Sequence, residues 1–169
     1  DFQSELAKIA DLKPDGIFIF LAGGMGVNFV KQFSQAGLAG RIPVLSSFTV
    51  DESALPAHGD AALGMEAGSN WAPNLNNPAN KKFVEAYVAA YNSVPTTYAM
   101  QAYDAAMLIN SAVKSVNGDL TKKDALLAAM RKADFQSLRG TFKFNRNGFP
   151  IQDFYLTKVG KRSDGKLET

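Results

Sequence analysis

The sequence predicts an α/β fold: a doubly wound parallel sheet forming most of one lobe, joined to the helical part of another. Three observations carry this. Ile17-Phe18-Ile19-Phe20-Leu21 is a continuous apolar run of β-branched and aromatic residues, the pattern of a parallel strand covered on both faces. A glycine cluster and a stretch of helical period follow it, so strand, turn and helix come in order. A second short run, Arg41-Ile42-Pro43-Val44-Leu45, completes a series of helix, strand, helix, strand, the pattern of a right-handed crossover between parallel strands.

In chain order, Phe2, Leu6, Ile9 and Ala10 mark a first helix that stops at Lys13-Pro14, because proline biases its predecessor away from helix. The strand Ile17 to Leu21 is broken by Gly23-Gly24-Met25-Gly26. Val27, Val30, Phe33 and Ser34 then restore a helical period that ends at Gly37. After the second strand and Ser46-Ser47-Phe48-Thr49, a short polar helix is expected around Asp51 to Leu55. A weak strand is expected over Leu63 to Gly68, leading to Trp71. Residues 70–77 read as a crossing segment. Helices are predicted over Lys81 to Tyr91, Thr97 to Val116 and Lys122 to Lys132, the last with Thr121 as N-cap. Thr141 to Phe144 and Ile151 to Val159 flank the turn-forming Asn145-Arg146-Asn147-Gly148 and read as a hairpin or paired strand. The segment from Lys161 to Thr169 reads as a loosely held tail.

Bulk properties narrow the function. The chain has 169 residues, 46% hydrophobic and 20% charged, enough for a sizeable core. Its 18 basic and 16 acidic residues leave a net charge of +2 without a run of like charges, which argues against a nucleic-acid partner. No cysteine is present, so disulfides and thiolate chemistry are excluded. No apolar stretch approaches the roughly 20 residues needed to cross a bilayer. The chain opens at Asp1 with neither an initiator methionine nor a signal segment. It is therefore read as a fragment with its upstream part missing, and the lack of a signal peptide says nothing against secretion.

Catalytic groups are sparse: one histidine, no Gly-x-Ser-x-Gly elbow and no pair of histidines to hold a metal. His58, in Pro56-Ala57-His58-Gly59-Asp60, is read as exposed or structural rather than as a base. Asp51, Glu52, Asp104 and Asp124 are explained by capping or solvation, with Asp104 the least ordinary of them. No enzyme activity, metal or cofactor is expected. Gly24-Met25-Gly26-Val27-Asn28-Phe29 has part of a dinucleotide fingerprint, but Phe29 stands where the third glycine would be. Two other readings remain open for this cluster: a plain strand-to-helix turn, and a helix N-terminus at a strand end that holds a carboxylate.

Taken together, several segments resemble the type I periplasmic solute-binding proteins of branched-chain amino-acid ABC transporters, over nearly the whole chain. They are Ala10-Asp11-Leu12-Lys13-Pro14-Asp15, the strand Gly16 to Leu21, Ala22-Gly23-Gly24, and Phe33-Ser34-Gln35-Ala36-Gly37-Leu38. They continue with Phe83-Val84-Glu85-Ala86-Tyr87, Tyr91, Tyr98 to Ala106, and Arg139-Gly140-Thr141-Phe142-Lys143-Phe144. The order and spacing of these segments carry the resemblance, which covers the C-terminal half of such a protein. It implies two α/β lobes that close over a ligand by hinge bending. By that pattern residues 1–68 belong to ligand-binding lobe 2, 69–78 cross over, and 79–140 form the helical part of lobe 1. Residues 141–160 return toward lobe 2 and 161–169 are a tail. The helical stripes of residues 81–132 would be covered by the missing N-terminal half.

The resemblance also implies the partners and the site. The partners are a small-molecule carboxylate and an ABC transporter permease; the location is periplasmic, or extracellular and membrane-tethered. The expected ligand-binding residues are Ala22, Gly23, Gly24, Met25, Phe48, Thr49, Tyr98 and Gln101, with Met25 and Tyr98 also readable as core residues. Phe48 falls where amino-acid-binding members have an acid that meets the ligand ammonium. An ammonium buried without a counter-charge loses solvation worth several kcal/mol. Stacking on Phe48 or Tyr98 would instead favour an aromatic carboxylate of the benzoate or phenylpropanoid type by roughly 0.5 to 1.5 kcal/mol beyond area burial. Branched-chain amino-acid binding, with Asp51 or Glu52 as substitute counter-charge, is the alternative. A ligand-sensing domain of a receptor or regulator is another.

Overall fold

The computed structural model describes residues 1–169, and the chain divides into two compact units. The first comprises residues 1–69 and 155–169, the second residues 70–154.

In the first unit, α1 (Gln3–Leu12) ends where Lys13 turns left-handed ahead of Pro14. β1 (Ile17–Ile19) leads to α2 (Gly24–Gln35), and β2 (Val44–Ser47) follows. α3 (Leu55–His58), a 3-10 turn (Gly59–Ala62) and β3 (Glu66–Ser69) complete the run. β1, β2 and β3 are parallel neighbours, with Phe18 opposite Leu45 and Leu45 opposite Glu66. β6 (Tyr155–Lys158) then joins the free edge of β3 in antiparallel register, with Ala67 opposite Thr157. The helices cover one face of this sheet. Leu6 of α1, Phe29, Val30 and Phe33 of α2 and Leu55 of α3 share one buried cluster with Ile19, Val44 and Ala67. Phe29 stacks on Phe33 at 5.8 Å and meets Phe2 edge-on at 5.3 Å.

Here the expectation of a strand covered on both faces needs correction. Phe18 and Phe20 are 69% and 64% exposed, and Leu45 and Leu156 also lie open. All three helices join the cluster on the opposite face, so within this chain nothing covers the Phe18 side. The tail expectation changes too. β7 (Gly160–Lys161) and β8 (Leu167–Glu168) form a hairpin whose Leu167 packs on the core, and the Thr169 hydroxyl donates to the Glu52 carboxylate. The short helix starts later than expected, at Leu55, because the Asp51 carboxylate accepts the N–H groups of Ser53 and Ala54 and makes that stretch a turn.

In the second unit, α4 (Pro78–Tyr91) begins at Asn77, whose side chain accepts the Asn80 N–H at 2.7 Å as an N-cap. Asn80 is fully buried. It accepts from the Trp71 indole at 2.7 Å and donates to the carbonyls of Pro73 and Leu75, knotting the crossing segment onto α4. α5 (Thr97–Ser115) is capped by Thr96 and α6 (Lys123–Lys132) follows. Thr121 does not cap α6; its hydroxyl is directed to Asp119 at 2.6 Å and so is not turned to the helix. The predicted hairpin is real but short: β4 (Lys143–Phe144) pairs only with β5 (Pro150–Ile151), and residues 155–158 leave for β3. α5 buries Thr97, Met100, Asp104 and Ala112. Tyr98, Ala102, Ala105 and Ile109, one helical stripe, stay exposed.

Asp104 justifies its singling out. It is 2% exposed and accepts from the Ser137 hydroxyl, the Leu138 N–H at 2.9 Å and Arg139 Nε at 3.0 Å. Arg139 lies over the Phe142 ring and donates to Gln152. One carboxylate thus holds the segment after α6 against α5. Removing it strands a buried guanidinium and a buried N–H, so Asp104→Ala is expected to destabilise the protein by about 3 to 5 kcal/mol in urea unfolding, whereas Asp124→Ala, on the exposed α6, is expected to change little.

Candidate functional site

Ligands of open α/β sheets bind beyond the carboxyl ends of the parallel strands. In the first unit that edge is built from the segment Phe20 to Met25 after β1 and the segment Phe48-Thr49 after β2. Thr49 joins them. It is 1% exposed, and its Oγ1 accepts the Leu21 N–H at 3.0 Å across 28 residues of chain. Gly26 closes the joint from the side of α2. A Cβ there would lie 2.2 Å from the Leu21 carbonyl oxygen and 3.0 Å from Thr49 Cγ2. The glycine cluster is therefore explained by close packing of a strand-to-helix turn. Gly23, at φ 59° and ψ −138°, holds a backbone conformation open essentially to glycine alone. No side chain caps α2, which leaves the N–H groups of the exposed Gly24 and Met25 free to meet an anion.

Phe48 is the unusual residue at this edge. Its φ is +54°, a left-handed conformation that costs a bulky residue roughly 1–2 kcal/mol. The other non-glycine residues with positive φ, namely Lys13, Asn92, Asn117 and Ala133, sit at helix C-termini, where that conformation is common. Phe48 caps no helix. The residue is 38% exposed, and its ring meets Phe20 edge-to-face at 6.2 Å and 88°. Backbone strain held beside a buried tie, at a residue with a partly open aromatic ring, makes this edge the candidate site.

Behind Thr49 lies His58, buried rather than exposed, with Nε2 2.9 Å from the Thr49 carbonyl oxygen. Burial, the largest influence, holds its pKa below the usual histidine value; the Thr49 carbonyl and Asp51 act the other way. The two acids next to Phe48 are already engaged. Asp51 holds the turn before α3, and Glu52, its pKa raised chiefly by burial, accepts from Thr169.

Among the expected contacts, Ala22, Gly23, Gly24 and Met25 form the exposed rim of the first unit, Phe48 stands beside them, and Thr49 lies beneath. Tyr98 and Gln101 belong to the second unit, on the first turns of α5, Tyr98 being 53% exposed and Gln101 half-buried. Neither Met25 nor Tyr98 is a core residue. Phe20 escaped the sequence reading because it sits within an apolar run read as wholly buried. A cavity of about 350 Å³ at the opposite ends of β2 and β3 is lined by none of these residues, and its two charged groups, Glu66 and Lys158, pair with each other at 3.9 Å.

The model of the family described as periplasmic binding protein matches residues 1–166. A relative from Brucella melitensis named Leu/Ile/Val-binding protein homolog 6 is 32% identical over 173 residues, covering 98% of this chain and 44% of its own length. The chain therefore spans less than half of that curated relative. Among solved structures, an ABC transporter solute-binding protein from R. palustris in complex with benzoate is 38% identical, with a TM-score of 0.89, covering 99% of this chain and 45% of that one. Another, from Rhodopseudomonas palustris BisB5 in complex with 3,4-dihydroxy benzoic acid, is 34% identical, with a TM-score of 0.86 and coverage of 99% and 46%.

The tightness at Gly26 is directly testable. Gly26→Ala pushes a methyl group into a backbone carbonyl and is expected to destabilise by about 1 to 3 kcal/mol in denaturant unfolding. Gly24→Ala, where a Cβ has open space, is expected to be close to neutral.

Proposed function

The chain belongs to the periplasmic binding protein family, and from that premise we propose that it is the C-terminal half of a solute-binding receptor of an ABC uptake transporter. Its ligand is a small aromatic carboxylate of the benzoate or phenylpropanoid type, delivered unaltered to a permease. The receptor works in the periplasm, or outside the cell tethered to the membrane; no helix of this chain is long and apolar enough to cross a membrane.

The observation that carries the choice of ligand is Phe48. By resemblance it falls where amino-acid-binding members have an acid for the ligand ammonium, and in the structure it is held in a costly backbone conformation and is partly exposed. An ammonium placed there would be desolvated without a partner, because Asp51 and Glu52 are committed to Ser53, Ala54 and Thr169. An aromatic ring would instead gain an edge or face contact with Phe48 and Phe20, and its carboxylate would meet the uncapped N–H groups of Gly24 and Met25. Ala22 and Gly23 complete the rim, Thr49 positions it, and Tyr98 and Gln101 are the contacts proposed from the second unit. The benzoate and dihydroxybenzoate named for two similar structures support this reading.

Branched-chain amino-acid binding is the second reading, favoured by the name of the Brucella relative. The open faces fit a longer protein. Phe18 and Leu45 on the sheet, and Tyr98 to Ile109 on α5, are apolar surfaces of a size that a parallel sheet or a helix ordinarily buries. We propose that the remaining half of the receptor covers at least the sheet face.

A thermal-shift screen of the longer receptor tests the ligand class. Benzoate at 100 times its dissociation constant is expected to stabilise by about 2.7 kcal/mol, with leucine and valine without effect. Stabilisation by leucine and not benzoate would overturn the aromatic reading. Phe48→Ala is expected to weaken benzoate by about three- to tenfold in calorimetric titration.

A further inference from the structure

We propose that His58 is a positioning residue for the ligand loop, and that through it ligand affinity depends on pH. The proposal rests on the reading that Phe48 and its neighbours form the binding edge. His58 is 2% exposed and makes one ring hydrogen bond, from Nε2 to the Thr49 carbonyl oxygen at 2.9 Å. A carbonyl can only accept, so Nε2 carries the proton and Nδ1 is a bare acceptor. That Nδ1 is buried with no hydrogen-bond partner. The bonded carbonyl belongs to the residue after Phe48, and the side chain of the same residue holds Leu21. His58 therefore fixes the Thr49–Val50 peptide, one residue beyond the strained Phe48 backbone.

Acid would disturb this arrangement. A second proton would create an N–H at Nδ1 with no acceptor and a charge without solvent. The charged groups around His58 do not remove that cost. Asp51, in the preceding turn, favours the cation, and Lys31 of α2 opposes it. Of the other elements against α3, the 3-10 turn directs Asp60 to Lys161 at 2.8 Å, and β8 carries the exposed Glu168. A histidine held below its ordinary value supports the ordered loop fully above that value, and the support is lost as pH falls toward the lowered one. If ligand binds only the ordered loop, its affinity falls in the same window.

Calorimetric titration with benzoate tests this on the longer receptor, as wild type, His58→Gln and His58→Leu, at about pH 7.5 and about pH 5.5, on either side of the ordinary histidine value of roughly 6.5. Glutamine can keep an N–H donor to Thr49 but cannot titrate. Wild type is expected to bind about three- to tenfold more weakly at the lower pH, within the limit of tenfold per pH unit for one linked proton. His58→Gln is expected to bind as wild type at the higher pH with little change at the lower, and His58→Leu to bind weakly at both. Equal pH dependence in wild type and His58→Gln would overturn the proposal. So would wild-type affinity of His58→Leu at the higher pH. If His58→Leu fails to fold, the wild-type and glutamine pair still decides. Should wild type bind leucine and not benzoate, the aromatic reading falls, and the same comparison made with leucine decides for or against His58.

Discussion

The hydroxyl of Thr49 and the Leu21 N–H that it accepts form the contact on which the candidate site depends. Two strand ends that are distant in sequence become one edge through it, and the packing around it permits little else. Gly26 must lack a side chain so that α2 can approach the Leu21 carbonyl. His58 must reach the Thr49 carbonyl from behind. Phe48 is confined between residues that are themselves fixed, which is how an unfavourable φ persists in the folded state. Local packing in the first unit and the shape of the candidate edge thus rest on the same few groups.

The proposed ligand class rests on charge. In a site shielded from water, a missing counter-charge weighs more than an added apolar contact, because desolvation of an ion costs several kcal/mol and a ring contact gains about one. On the proposed reading, a ring at position 48 in place of an acid disfavours an ammonium more strongly than it attracts an aromatic ligand. On that reading the uncapped start of α2 would meet the anion without any basic side chain, which suits a chain whose 18 basic residues are spread rather than clustered.

Much of the fold was legible because local patterns were strong. The apolar run at Ile17, the glycine turn and the period of α2 placed strand and helix correctly, and Asp104 stood out before its three hydrogen bonds were seen. What failed depended on partners distant in sequence. The exposure of Phe18 and Phe20 reflects which face the helices choose, which a continuous apolar run cannot encode. The residue pattern left open whether residues 155–158 pair with β4 or elsewhere, and their pairing with β3 is a long-range choice, made where Thr157 also donates to the Ala67 carbonyl. The strain at Phe48 and the burial of His58 have no signature in residue type. Of the candidate site, Phe48 was singled out through resemblance, while the contacts of Phe20, Gly26 and His58 appear only once the loops are placed together.

The most direct test of the account is a crystal structure of the longer receptor with benzoate bound. A carboxylate oxygen is expected within hydrogen-bonding distance of the N–H groups of Gly24 and Met25, with the ring in contact with Phe48 and Phe20. A benzoate bound away from the ends of β1 and β2, with Phe48 and Phe20 untouched, would contradict it.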